Sequence, residues 1–334
     1  MTIQTDFNYT NPLTVVPTRA NFSSLPGVYC QGRWFEAQTA QGIAVTTITQ
    51  GAALFFQFEG STLALDFIVR QTPCVVAVAI DQRPYVQLPA SEHCVVATGL
   101  DQGHHTVKVV ANGIKENDDL WFGGRGLSVK AIRADAVRAV KPVNPVGWFL
   151  GDSITAGIHV NGHNEPLTNS FVQSYGSVAS QLLKVNNVPT AFGATGITTG
   201  GSGDVPQASA YLNFAKDGVA AHLPQPDFCV INYGTNDRDN RSAFKPAFTR
   251  YLQQVAAQIP SVPIIVLQPF IGGFVAEMEA AVKRVPTAQF VRTDRWPFEG
   301  SDQFHPSASG SLKLGRCLAE ALVERLGESF FSSN

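Results

Sequence analysis

The chain has 334 residues and little charge: charged residues make up only 15 % of it, against roughly a quarter in an ordinary soluble domain. Lys and Arg (24) nearly balance Asp and Glu (26), leaving a formal net charge of −2. No basic stripe is present to meet a phosphate backbone, so nucleic acid is not an expected partner. No apolar run approaches the ~20 residues that cross a bilayer, so no membrane association is expected either. Cysteines are few. Cys30, Cys74, Cys94, Cys229 and Cys317 are odd in number, scattered, and form no Cys-x-x-Cys. That pattern favours reduced thiols, with a Cys74–Cys94 bridge as the one pairing left open. The opening MTIQTDFNYT has neither a basic n-region nor an apolar h-region. A cytoplasmic protein is the expectation, or a secreted one if a leader has been removed. The chain has no Gly-x-Ser-x-Gly elbow and no glycine loop ending in Gly-Lys-Ser/Thr. No metal and no organic cofactor is expected.

What is present divides into two halves. Up to about residue 140, short alternating or apolar runs are split by turn residues. Examples are Ala44–Thr49, Ala53–Phe58, Thr62–Val69, Val75–Ile80, Cys94–Thr98 and Thr106–Ala111. Turns are expected at Glu59-Gly60-Ser61, Asp101-Gln102-Gly103 and Asn112-Gly113. Strands at this spacing predict an antiparallel β-sandwich for residues 1–140. The segment Ala134–Pro145 carries Pro142 and Pro145, which block helix and central strand, and is expected to be the linker. From residue 141 to 334 strands and helices alternate, which predicts a parallel sheet covered on both faces, an α/β/α domain. Ligands of such sheets bind beyond the carboxyl ends of the strands.

Four segments fall at or after those strand ends. Gly151-Asp152-Ser153-Ile154-Thr155 follows the strand Val146–Leu150 and puts a serine on a strand-to-helix turn. Gly193–Gly203 is a glycine-rich loop after Thr190–Phe192. Gly234-Thr235-Asn236-Asp237 follows Phe228–Tyr233 and offers an amide N–H to an oxyanion. Asp302-Gln303-Phe304-His305-Pro306 places a carboxylate three residues before an imidazole, which suits an acid that orients a base. Each segment alone is ordinary turn chemistry. In this order, Ser, Gly, Asn, Asp-x-x-His, they specify a nucleophilic serine and its supporting groups.

The order resembles that of the SGNH (GDSL-like) hydrolases, whose four name-giving residues match Ser153, Gly196, Asn236 and His305. The resemblance spans Trp148 to about Gly315. It implies a flavodoxin-like sheet, Ser153 as nucleophile, His305 as base and Asp302 as the residue orienting that base. It also implies an oxyanion hole made by the N–H groups of Ser153 and Gly196 and the Asn236 amide. The second block, Gly193-x-x-Gly196-x-Thr198, departs from the family in carrying Ala191 where many members have asparagine. The first half, from Gly32-Arg33-Trp34 through Gly51–Phe67, resembles the jelly-roll domain that precedes the SGNH domain in family 2 carbohydrate esterases. A similar layout occurs in SGNH acyltransferases of natural-product pathways.

Further residues are candidates for the substrate pocket: Asp152, Arg238, His159 and Trp121. Asp152 is expected to hold the serine loop, since its side chain should point the other way along the turn. His159 and His163 are four apart, a spacing a metal can use on a helix. Asn161-Gly162 lies between them and no third ligand is apparent, so an exposed loop is the expected reading. Trp121 either meets a sugar face or plugs a domain interface. The expected activity is hydrolysis of a short acyl ester, acetyl being the expected group, on a carbohydrate-like or small-molecule alcohol, through a serine acyl-enzyme. The alternatives are transfer of the acyl group to an alcohol, or an inactive carbohydrate-binding protein. The sequence is silent on oligomeric state.

Overall fold

A computed structural model describes residues 3–4, 13–69 and 72–332. Most of the segment behind the localisation expectation, residues 1–2 and 5–10, lies outside the described residues. No helix among the described residues is long and apolar enough to cross a membrane.

The first half is an antiparallel, sandwich-like sheet of eleven strands. Its spine is Ala53–Phe67, buried at both ends. It pairs with His104–Gly113, with Leu127–Pro142, and with the short strands Tyr29–Gln31 and Cys94–Ala97. The expected turn at Glu59-Gly60-Ser61 is not one, because the strand runs straight through it. Gly60 sits at φ +115°, a conformation open to glycine, and the facing strand shifts register at Asp135. Both strands bend there without ending, as paired bulges allow. The Asn112-Gly113 turn is likewise absent: both residues close the strand His104–Gly113. Asn112 is fully buried, and its side chain donates to Gln87 Oε1 (2.7 Å) and accepts from the Val172 N–H (3.0 Å).

The expected linker Ala134–Pro145 is mostly strand, since Leu127–Pro142 continues across it. Pro142 is tolerated because it ends the strand, paired with Val15. Only Val143-Asn144-Pro145 separates that strand from the next sheet. Cys94 is a free thiol, so the Cys74–Cys94 bridge is not formed.

The second half is a three-layer α/β/α domain. Its five parallel strands lie in the order Asn186–Ala191, Val146–Gly151, Phe228–Asn232, Ile264–Leu267, Ala288–Val291. Counted along this half, that is 2-1-3-4-5, the flavodoxin-like order. Four of the strands are mainly apolar, while Asn186–Ala191 buries two asparagines and a threonine, and the period of two sends alternate residues to opposite faces. Trp148, Leu150, Cys229, Ile231, Ile264 and Val266 face the core shared with helix Arg241–Gln258. Phe149, Phe228, Val230, Ile265 and Leu267 face the core shared with helix Ala308–Leu326.

The halves are bolted together by polar groups that have no water to turn to. Arg33 is fully buried; it donates to Thr190 Oγ1 (3.1 Å) and to the carbonyls of Tyr211 (2.8 Å), Leu212 (2.6 Å) and Phe214. Unpaired, such a charge would be strongly destabilising. Gln50 donates to the Ala156 carbonyl and accepts from the Ile114 N–H, both at 2.6 Å. The apolar core of the first half runs without a break into one face of the parallel sheet.

Candidate active site

Strand order reverses between Val146–Gly151 and Phe228–Asn232, and crevices form beyond the carboxyl ends of such strands. Ser153 lies there. Gly151 must be small: a Cβ on it would meet Thr155 Oγ1 at 2.0 Å. Ser153 then opens a one-turn helix, Ser153–Ala156. Asp152 caps it through an acceptor bond from the Ile154 N–H (3.0 Å). The Ser153 N–H, at the first helical position, has no intrahelical acceptor and is available to a ligand.

The Asp302–His305 segment builds itself locally. Asp302 Oδ1 accepts the N–H groups of Phe304 and His305, each at 2.7 Å. Its other oxygen, Oδ2, lies 2.8 Å from His305 Nδ1. His305 Nε2 lies 2.9 Å from Ser153 Oγ. The structure therefore brings Ser153, His305 and Asp302 into one hydrogen-bonded chain. Helix Ala308–Leu326, capped by Ser307, begins three residues after the imidazole and anchors it.

The electrostatics fit a base at rest. Burial works to raise the Asp302 carboxyl, but the two backbone N–H bonds and the imidazole outweigh it and hold the group at about 2. Burial pushes the His305 imidazole below its ordinary value despite Asp302, and His159 and His163 push the same way. At neutral pH Asp302 is ionised and His305 is neutral, with Nδ1–H fixed toward the carboxylate. That leaves a lone pair on Nε2 for the serine proton.

The pocket above Ser153 is lined by Glu116, Ala194, Thr235, Asn236, Phe304 and His305 and has a volume of about 120 Å³. Asn236 reaches it as expected, its Nδ2 donating to the Thr195 carbonyl (2.9 Å) and more weakly toward Asp152 Oδ2 (3.4 Å). Gly196 does not reach it. Its N–H is bonded to the Thr199 carbonyl (3.0 Å), and the residue is buried. A Cβ on Gly196 would meet Asp237 Oδ1 at 2.7 Å, so glycine serves close packing there. Asp237, fully buried, accepts from the Thr198 N–H (2.7 Å), the Thr198 hydroxyl (2.8 Å) and the Ile197 N–H (3.1 Å). It thereby ties the glycine loop to the Asn236 turn.

The residue of that loop in the pocket is Ala194. It is exposed, sits at φ +55°, and its N–H has no hydrogen-bond partner among the described residues. A non-glycine residue in this left-handed region costs of order 1–3 kcal/mol, a strain that concentrates at functional sites. No sequence signal marked it, because the family pattern points two residues further on.

Glu116 is the other residue that sequence reasoning missed. It comes from the first half, in the loop after His104–Gly113. Gly193 makes room for it: a Cβ there would meet Glu116 Oε2 at 1.7 Å. That oxygen is buried without a hydrogen-bond partner. Burial, and then the nearby Glu165, push the carboxyl up to about 7, against a hydrogen bond from Ser202. The run Lys115-Glu116-Asn117-Asp118-Asp119 reads in sequence as a solvated loop, and nothing in it singles out Glu116.

The remaining candidates lie around the pocket. Asp152, a candidate for the pocket, does not line it: it is fully buried and its side chain accepts from the Ile154 N–H. Arg238 is exposed and stacks over the Phe304 ring, 5.2 Å from its centroid, at the rim. Trp121 is not in the pocket: it is buried in the shared core, its N–H bonded to the Gly203 carbonyl and its own carbonyl to the Asp217 N–H. His159 does not line the pocket: it packs edge-on against His305, with ring centroids 4.8 Å apart, and pairs with Glu165.

Residues 149–312 match the GDSL-like Lipase/Acylhydrolase family, and the second half of this chain is a domain of that family. A search of curated protein sequences finds no match to the chain. Among solved structures, a family two carbohydrate esterase from Cellvibrio japonicus superposes with a TM-score of 0.74 at 18 % identity, covering 95 % of this chain and 99 % of its own. A family two carbohydrate esterase from Clostridium thermocellum, in complex with cellohexaose, gives 0.74 at 17 % identity, covering 90 % and 99 %. A salicylyl-acyltransferase from a tetracycline biosynthetic pathway gives 0.59 at 15 % identity, covering 93 % and 98 %. At these identities the likeness is one of fold, and it extends over both halves.

Proposed function

We propose that this protein is a serine esterase that cleaves a short acyl group from a carbohydrate-like alcohol. The observation that carries this reading is the chain Ser153 Oγ, His305 Nε2, His305 Nδ1, Asp302 Oδ2, with links of 2.9 and 2.8 Å, opening on a small pocket. His305 takes the proton as Ser153 Oγ attacks the acyl carbonyl. The tetrahedral oxyanion is met by the N–H groups of Ser153 and Ala194 and by the Asn236 amide, which gives up its weak 3.4 Å contact to Asp152 and keeps its bond to the Thr195 carbonyl. The bond to the alcohol then breaks, and the alcohol leaves with the proton from His305. A water molecule, deprotonated by the same imidazole, releases the acid and restores the serine.

The pocket supports a short acyl group. Its volume of about 120 Å³ is smaller than the ~150 Å³ cavity that holds benzene. The carbohydrate alcohol rests on the two-domain likeness to family two carbohydrate esterases, one of them bound to cellohexaose. The acyltransferase in the same fold supports a second reading, in which an alcohol replaces water as acceptor.

The test is a panel of acetylated sugars and p-nitrophenyl esters of rising chain length. Acetyl esters should turn over fastest, and an added acceptor alcohol should leave free acid as the main product. A preference for long acyl chains would overturn the short-acyl assignment, and accumulation of a new ester would establish the transferase. Binding of glycan without turnover, and without labelling of Ser153 by a fluorophosphonate, would leave only a binding protein.

A further inference from the structure

Beside the triad, at residues that do not line the pocket, three ligand atoms converge. They are His159 Nδ1, His163 Nε2 and Asp302 Oδ2, all within 4.8 Å of one another. His159 Nδ1 lies 3.6 Å and His163 Nε2 3.9 Å from Asp302 Oδ2. The loop between His159 and His163 makes the two rings neighbours, with centroids 4.5 Å apart. In sequence the pair lacks a third ligand; the fold supplies one from the far end of the chain.

We propose that His159, His163 and Asp302 form a binding site for a zinc-class divalent cation that inhibits the enzyme. Four observations support the assignment. First, His159 Nδ1 is buried and has no hydrogen-bond partner. Second, its other nitrogen, Nε2, lies 2.7 Å from Glu165 Oε1. That bond holds the proton on Nε2 and leaves the Nδ1 lone pair facing the cluster. It is the carboxylate–histidine–metal arrangement, in which an outer carboxylate fixes the ligand's tautomer and orientation. Third, the spacing is right. Zinc bonds of about 2.0–2.2 Å put tetrahedral ligands about 3.4 Å apart. The two separations from Asp302 exceed this by 0.5 Å or less, and the imidazole nitrogens, within 4.8 Å of each other, must close in by a rotation of the exposed His163. Fourth, the donors are selective: two imidazoles and one carboxylate suit zinc-class ions, whereas Mg²⁺ and Ca²⁺ take all-oxygen sites. His163 is exposed, so the cluster can be reached from solvent.

The consequence for turnover rests on the triad reading. Asp302 Oδ2 is the atom that holds His305 Nδ1–H. A cation bound to that oxygen competes with the imidazole for it and draws the carboxylate toward His159 and His163. His305 then loses the fixed orientation that keeps Nε2 on Ser153. Bound metal therefore lowers kcat with little effect on KM, since the pocket lining is untouched.

Zn²⁺ titrated calorimetrically into the Ser153→Ala protein isolates binding from catalysis. One saturable site is expected. His163→Ala should abolish it, and Glu165→Gln should weaken it about 10- to 100-fold. His163 does not line the pocket, but it faces Asp302 and bears on His305, so the Zn²⁺ response of His163→Ala is read against that variant's own metal-free kcat. That variant should resist micromolar Zn²⁺, which should lower the kcat of the unsubstituted enzyme, while Mg²⁺ should leave both unchanged. Absence of saturable Zn²⁺ binding, or binding that survives His163→Ala, would overturn the site and leave a structural ion pair. Binding without a fall in kcat would overturn the inhibition and keep the site. Ester cleavage surviving Ser153→Ala would fault the triad alone, since the calorimetric arm does not depend on it.

Discussion

The two halves of this molecule contribute to the pocket in different ways. The second half supplies the hydroxyl, imidazole, carboxylate and amide from turns that end its parallel strands. The first half supplies a wall, a buried arginine that grips the other half, and one carboxyl, Glu116, inside the pocket. The difference teaches where chemistry is written in a chain. Groups that act through local geometry leave a spacing in the sequence. Groups delivered by a partner domain do not.

The largest effects should come from the second half. Ser153→Ala should lower p-nitrophenyl acetate hydrolysis by ~10⁴-fold or more while the protein stays folded, as loss of a triad nucleophile does. Retained turnover, with an unchanged circular dichroism spectrum, would remove the serine from the mechanism. Asn236→Ala should lower kcat by ~10²–10³-fold, the usual cost of one oxyanion donor, and change KM less. A change in KM alone would assign Asn236 to substrate binding instead.

Glu116→Gln asks whether the first half takes part in the chemistry at all. Its carboxyl, held at about 7 chiefly by burial, is neutral below that pH and charged above it. In the proposed mechanism a negative charge in the pocket that Glu116 shares with Ser153 opposes the developing oxyanion. Turnover should therefore decline as pH rises through about 7, and Glu116→Gln should flatten that limb. The expected change is about tenfold, the equivalent of ~1.4 kcal/mol. Identical pH–rate profiles for the two proteins would reduce Glu116 to a piece of wall.

The same division explains what sequence alone revealed. Asp302-x-x-His305 is legible because one carboxylate oxygen holds the backbone and the other the ring, within four residues. The serine turn is legible because Gly151 and Asp152 are required by its own helix. Four of the five parallel strands were legible as apolar runs, whereas the strand expected at Thr190–Phe192 lies at Asn186–Ala191, where its asparagines hide it. The glycine loop was misjudged by two residues: Gly196 is small to admit Asp237, forty-one positions away, while Ala194 is the residue presented to the pocket. Gly60 and Asn112 read as turns because glycine and asparagine usually make them. Here a facing bulge and a set of buried interdomain partners hold both residues in strand. In each misreading the deciding contact is remote in sequence.

The smallest effect on turnover, and the sharpest on stability, is expected at Asp152, which lies beneath both sides of the site. Burial, with Asp237 nearby, pushes its carboxyl up to about 7, against the pull of the Ile154 N–H bond. An ordinary aspartate, as in the unfolded chain, titrates near 3.9. The folded state thus binds this proton more tightly than the unfolded state. Its stabilisation is complete below about pH 3.9, falls as pH rises, and is gone above about 7. The associated swing is of the order of a few kcal/mol. Asp152→Asn keeps an acceptor for the helix cap and removes the titration. Its thermal midpoint, relative to the unsubstituted protein, should therefore climb between pH 5 and pH 8. A difference in midpoint that stays constant over this range would mean that Asp152 is ionised in the fold. The Asn236 amide, 3.4 Å from its Oδ2, would then be held by a charge rather than by a neutral carboxyl.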